Sequence, residues 1–155
     1  MIEYDLRVDD SGLAGKLKEW GRRLPEFADT LINKLANAAM AHIQAHKLTG
    51  QVLNVRSGDL RGKMLVEKKQ QGTAMIVAGG SDVPYAAIHE TGGTILPKRG
   101  KYLRFQTQDG AWHTVSKVYI PPRPYFKPGV VEFFRSGEAG RIANAEFAAY
   151  KRRHW

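Results

Sequence analysis

Three of the four residues from Pro121 to Pro124 are proline, in the run Ile120-Pro121-Pro122-Arg123-Pro124-Tyr125-Phe126. Proline fixes φ and has no amide hydrogen, and the residue before it is pushed out of the α region. This stretch is therefore neither helix nor central strand. It reads as a stiff extended segment with little conformational entropy left to lose. Such a strut suits either a buried crossing or a subunit contact. Arg123, set between prolines, offers a planar guanidinium fork to a carboxylate, and Tyr125 and Phe126 are its apolar anchors. The expectation is that Arg123 is structural and paired with a carboxylate, and that Tyr125 and Phe126 pack against a short helix carrying Tyr85 and Ile88. The alternative is an Arg123 held on an outer surface.

The strut divides the elements around it. Residues 3–8 alternate polar and apolar, as a short strand does. Asp10 and Ser11 are N-cap candidates for a helix with Leu13, Leu17, Trp20 and Leu24 on one face. Pro25 interrupts it, which predicts a second helix starting there and running through Phe27, Leu31, Leu35 and Ile43 to about Leu48. Thr49-Gly50 is a plausible stop. Val52–Arg56 is ambiguous, and Ser57-Gly58-Asp59 reads as a turn or cap. Met64–Lys69 and Thr73–Ala78 read as a β-hairpin. The segment PYAAIHET is helical and ends at Gly92-Gly93. Thr94–Leu96 is extended, and Tyr102–Thr107 and Ala111–Val118 pair around Asp109-Gly110. From about Pro128 the pattern is helical to the end, with a break at 137–140. The fold class is α+β: a small antiparallel sheet with an N-terminal helical hairpin and a C-terminal helix. At 155 residues one domain spans 1–155, with 1–50 as its helical part and 51–155 as sheet and C-terminal helix.

Charge and composition narrow the function. The net charge is +9. Residues 1–50 carry seven basic and seven acidic side chains, so the whole excess follows Gly50. A basic balance suits polyanionic surroundings or acidic partners. There is no Cys, which excludes disulfides, thiol nucleophiles and Cys-based zinc sites. The N-terminal run MIEYDLRVDD lacks the apolar core of a secretory signal, and no stretch approaches the roughly 18 apolar residues of a membrane span. The chain reads as soluble and made inside the cell.

No catalytic, cofactor-binding or metal-binding set emerges. His42 and His46 stand four apart, a metal-ligand spacing, yet no third ligand is near in sequence, and surface histidines are the commoner case. His89-Glu90 are adjacent and do not share a helix face. They lack the second His of a His-Glu-x-x-His zinc motif, and a hydrogen bond fixing the following glycine turn is the better reading. Ser57 and Ser81 sit in no nucleophile elbow. Gly79-Gly80 and Gly92-Gly93 match neither a dinucleotide fingerprint nor a phosphate loop. An enzyme is not expected. Lys98-Arg99-Gly100-Lys101 forms a basic loop that could face DNA, although a solvated loop is the commoner role of such a run. On its own it predicts only weak, salt-sensitive duplex binding. Aromatic residues interleave with basic ones in this half of the chain, in a manner open to base stacking or to core burial.

The run Val83-Pro84-Tyr85-Ala86-Ala87-Ile88-His89-Glu90-Thr91-Gly92-Gly93-Thr94-Ile95, followed by Ile120-Pro121-Pro122-Arg123-Pro124-Tyr125-Phe126, resembles the tailed-phage virion morphogenesis proteins. These are the tail-completion and head–tail joining families typified by the Mu-like G protein, the P2-like S protein and the phage HK97 protein. Their pattern is Tyr-Ala-x-Ile-His-x-Gly-Gly and then Ile-Pro-x-Arg-Pro-Phe. Ser57-Gly58-Asp59-Leu60-Arg61 is similar to an element that precedes their hairpin. Glu90 replaces the Gln usual in Mu-like members, and Tyr125-Phe126-Lys127-Pro128 replaces Phe-Leu-Gly. Glu90 and the Pro128-Gly129 sequence lean toward the HK97-like head–tail joining family. The resemblance covers about residues 57–130. It implies a non-enzymatic structural virion protein of the phage neck or upper tail, a tail-completion or tail-terminator ring assembled in the bacterial cytoplasm. The ring, most often a hexamer, would cap the tail tube, meet the head-completion or connector protein, and pass DNA through its lumen without specific binding. The interface motif would comprise Tyr85, Ile88, His89, Glu90, Gly92 and Gly93 with Pro122, Arg123, Pro124, Tyr125 and Phe126. The alternative function is a basic nucleic-acid-binding domain, for which no helix-turn-helix, zinc-finger or RNA-recognition signature is present.

Overall fold

The structure, a computed structural model, describes residues 11–50, 52–53, 58–78, 85–107 and 109–154. The strand expected at 3–8, the ambiguous 54–56 and the stretch 79–84 lie outside these residues. The fold is α+β. Helix α1 (Ser11–His46) is followed by the single turn α2 (Asp59–Gly62), strands β1 (Met64–Gln70) and β2 (Thr73–Ala78), and helix α3 (Tyr85–Thr91). Strands β3 (Gly93–Ile95), β4 (Leu103–Gln106), β5 (Trp112–Val115) and β6 (Val118–Ile120) lead to helices α4 (Phe126–Arg135) and α5 (Glu138–His154).

The expected N-terminal helical hairpin is instead one continuous helix, with Pro25 inside it. Proline removes the amide that the Gly21 carbonyl would accept, a local cost of about 3 kcal/mol. Packing on both sides of the defect opposes that cost. Trp20 meets Tyr150 of α5 edge-on at 5.8 Å, and Phe27 meets the same ring at 4.7 Å. A helix docked along α1 on both sides of the proline holds the two halves in one helix. The C-terminal helix is in turn two helices, α4 and α5, with Gly137 at φ 79° between them.

The strands pair antiparallel in three separate two-stranded ribbons: β1 with β2, β3 with β6, and β4 with β5. The β3–β6 ribbon (Gly93↔Ile120, Ile95↔Val118) is the stalk from which the β4–β5 hairpin extends. The core gathers where the C-terminal half of α1 meets α2, the first hairpin, α3 and α4. Ile43, Leu48, Leu53, Leu60, Met64, Ala86 and Tyr125 are buried together there, with Met40, Ile76, Phe126 and Val130 at the margin. Gly129 is the point of closest approach between α1 and α4. A Cβ on it would lie 2.7 Å from Ile43 Cγ1, so only glycine lets the two helices close. Asp29 ties the β1–β2 hairpin to α1: its carboxylate accepts from Lys68 Nζ at 2.6 Å and from the Gly72 amide at the turn. The Lys68 hydrogen bond, then that of Gly72, holds the Asp29 carboxyl below the usual range. Among the described residues no helix is long and apolar enough to cross a membrane.

Candidate functional site

The two stretches singled out in the sequence meet. Residues 85–93 and 120–127 form one junction built from α3, the β3–β6 ribbon, the proline strut and the start of α4. The intervening chain, residues 94–119, returns the strut to α3 because β3 and β6 are the two rails of one ribbon. The Arg123 amide, the only backbone donor between Pro122 and Pro124, donates to the His89 carbonyl at 2.7 Å. The Gly92 amide donates to the Ile88 carbonyl at 2.8 Å, closing α3. Gly92 has φ 71°, and a Cβ there would lie 2.8 Å from both Cδ and N of Pro122. The left-handed turn and the proline ring thus require glycine for independent reasons. Gly93 presses on Ile88, whose Cγ1 would be 3.2 Å from a Cβ at that position.

Glu90 is the central polar residue. Its Oε2 accepts from the Tyr125 and Phe126 amides, both at 2.8 Å, and its Oε1 from the Lys127 amide at 2.9 Å. The first amides of a helix have no partner within it and form the positive end of its dipole. A carboxylate from another helix therefore caps α4 with three charge-assisted bonds. The expected hydrogen bond of Glu90 to the glycine turn is corrected: the carboxylate reaches forward to α4 instead. A glutamate suits this position, since a carboxylate has two acceptor oxygens and no donor to oppose the three amides.

Tyr125 is 2% exposed and belongs to the core cluster with Ala86 of α3 and Ile43 of α1. Burial, with the Glu90 charge beside it, pushes its hydroxyl up to about 12. Phe126 is half-buried at the core margin and meets Tyr125 edge-on at 6.5 Å. The strut's aromatic pair thus anchors it as expected, but through Ala86 rather than Tyr85, which is exposed and lies edge-on to the His89 ring at 5.9 Å. His89 Nδ1 is buried with no hydrogen-bond partner. Burial, and then the Arg123 guanidinium, hold the His89 imidazole below its usual range. At neutral pH it is an uncharged wedge, unsuited to shuttling protons with Glu90, whose oxygens are committed to α4.

Arg123 corrects the expected buried pair. Its side chain is exposed, as are Pro122 and Pro124, and its guanidinium makes no ion pair with any described carboxylate. Glu90, the nearest acid along the motif, is already engaged by three amides. The strut is fixed by its backbone and by Tyr125, and Arg123 is presented outward from it.

Lys98, Arg99 and Lys101 lie exposed on the loop between β3 and β4, apart from the junction. His42 and His46 lie side by side on α1, their rings tilted at 45° with centroids 4.4 Å apart. Glu132 of α4 lies near them, but its carboxylate accepts from Lys47 Nζ at 2.6 Å. Among the described residues no group of three or more His, Asp or Glu side chains is placed to hold a metal ion. Ser57 and Ser81 lie outside the described residues. Sequence reasoning missed the capping role of Glu90. The available signal was the absence of any Ser, Thr, Asp or Asn at the start of α4, where Tyr125 precedes Phe126 and Lys127. A helix start without a local cap needs an acceptor from elsewhere. The chain matches no protein-family model, no curated protein and no solved structure.

Proposed function

We propose that this protein is a structural component of a phage neck or upper tail, a tail-completion or tail-terminator ring that caps the tail tube and joins it to the head. The observation that carries the reading is the junction itself. The two stretches that resemble the virion morphogenesis families are far apart in sequence, yet they share one ribbon, one backbone bond between Arg123 and His89, and one carboxylate cap. Their residues are spent on holding a rigid surface, with Arg123 as its outward group, and not on assembling a reacting centre. A ring requires two unlike faces that meet with a closing rotation. A long helical body at one end and an extended ribbon at the other supply such unlike faces. Its partners in this role are further copies of itself, six in a ring stacked on the tail tube, the tube protein below and the head-completion or connector protein above. DNA passes through the lumen without specific contacts, and the protein has no catalytic role. Its place is the virion, after assembly in the host cytoplasm. Electron microscopy of the purified protein in negative stain tests this: closed rings with a central hole are expected, and uniformly monomeric particles at every concentration would sink the reading.

A further inference from the structure

The β4–β5 arm is the part of the molecule that the junction does not use. Strand register assigns its faces: Arg104 opposite Thr114 and Gln106 opposite Trp112 share one face, while Leu103, Phe105, His113 and Val115 share the other. On the first face Trp112 is 61% exposed, and the Arg104 guanidinium lies 4.8 Å from its ring centroid. Tyr102, just before β4, and Tyr119, on β6, are 62% and 68% exposed. Between residues 93 and 124 there are six basic side chains and one acidic one, Asp109. That acid is held by the Thr107 hydroxyl and the Ala111 amide of its own turn. Exposed flat aromatic faces among unopposed cations form the combination that binds a polyanion carrying stackable rings.

We propose that this arm, with the Lys98-Arg99-Lys101 loop at its base, is a contact surface for single-stranded nucleic acid. The cations follow the phosphates, and Trp112, flanked by Arg104, stacks on a base. Charge complementarity selects this occupant over a second copy of the chain. Most described carboxylates are already engaged, among them Asp29 with Lys68, Glu132 with Lys47 and Glu146 with Lys34. A second copy would also bring the same net charge of +9 against this basic arm. Duplex DNA satisfies the cations but keeps its bases stacked on one another, so it leaves the rings unused. The inference stands apart from the neck reading, which calls only for passage of duplex DNA.

The test is fluorescence anisotropy of the full chain with labelled dT25 and with a 25-base-pair duplex, at low and at physiological salt. The dT25 strand is expected to bind at least tenfold more tightly than the duplex. Trp112→Ala should weaken dT25 binding by roughly tenfold, since base stacking contributes about that much per ring, while Trp112→Phe should retain most of it. Replacing Lys98, Arg99 and Lys101 together by Gln should reduce the salt slope by up to about 2. Circular dichroism of each variant confirms that the fold is kept. Equal affinity for duplex and single strand, or wild-type dT25 affinity in Trp112→Ala, would overturn the proposal and leave the arm a purely electrostatic surface suited to an acidic protein. Self-association lost on arm substitution, with no dT25 binding in the wild type, would overturn it in favour of a second copy.

Discussion

The junction and the arm are joined by the same β3–β6 ribbon, yet they spend their residues in opposite ways. In the junction the backbone is tied down internally, with three amides on Glu90 and the Arg123 amide on the His89 carbonyl above a buried tyrosine. In the arm the two strands bond to each other while their rings and cations face outward. A two-stranded hairpin of four-residue strands is marginal by itself, and its ring contacts, Phe105 on His113 and Arg104 on Trp112, stay within the hairpin. The lesson is that one ribbon can anchor at one end and present at the other. Substitutions should separate the two regions cleanly, with stability lost at the junction and binding lost on the arm.

The largest expected effect is at Tyr125. Tyr125→Ala removes a fully buried ring and leaves a cavity beside Ile43 and Ala86, at a cost of about 3–5 kcal/mol by analogy with buried aromatic truncations. Chemical denaturation reads this directly, and a loss below about 1 kcal/mol would place Tyr125 outside the core.

Next is the cap. Glu90→Ala strands three amides at the start of α4, and about 1.5–3 kcal/mol is expected for a charged acceptor of this kind. Glu90→Gln should lose less, because its carbonyl still accepts while its NH2 opposes the amides. If Ala and Gln behave alike and both match wild type, the cap contributes nothing to the comparison.

A smaller effect concerns pH. The folded-state value of Tyr125, about 12, lies above the value of about 10 of an unfolded tyrosine. Between these values the unfolded chain gives up a proton that the folded chain keeps. Stability is therefore fully present below about pH 10 and falls as pH rises toward 12. Urea midpoints from pH 9 to 11.5 should drop more steeply in wild type than in Tyr125→Phe. Parallel curves would contradict the burial of the hydroxyl.

The smallest effect belongs to the arm. Trp112→Ala touches no core residue and should change stability by no more than about 0.5 kcal/mol. A destabilisation comparable with that of Tyr125→Ala would erase the distinction between the two regions.

The α+β outline, the first hairpin, α3 and the Asp109-Gly110 turn were legible because each is a local signal of periodicity or turn chemistry. Local reasoning failed where distant contacts decided. Pro25 is a helix breaker in any short window, and only Tyr150, 125 residues on, shows why α1 continues through it. Glu90 looks like half of an acid–base pair until a strut 35 residues later presents three amides. Asp29 offers no sequence sign that it receives a hairpin turn. Arg123 is exposed where the spacing suggests burial, and among the described residues the nearby carboxylate of Glu90 is already occupied by three amides. The motif pair was legible as a pair; its geometry was not.

On the proposed neck function, the junction holds Arg123 outward as a contact for assembly. The most direct test is the light-scattering mass of Arg123→Ala beside wild type, at matched concentration and with thermal unfolding checked on the same samples. A wild-type mass that is a multiple of 17.3 kDa is expected, with Arg123→Ala equally stable but shifted toward the monomer. A variant that assembles as wild type does, at wild-type stability, would contradict it.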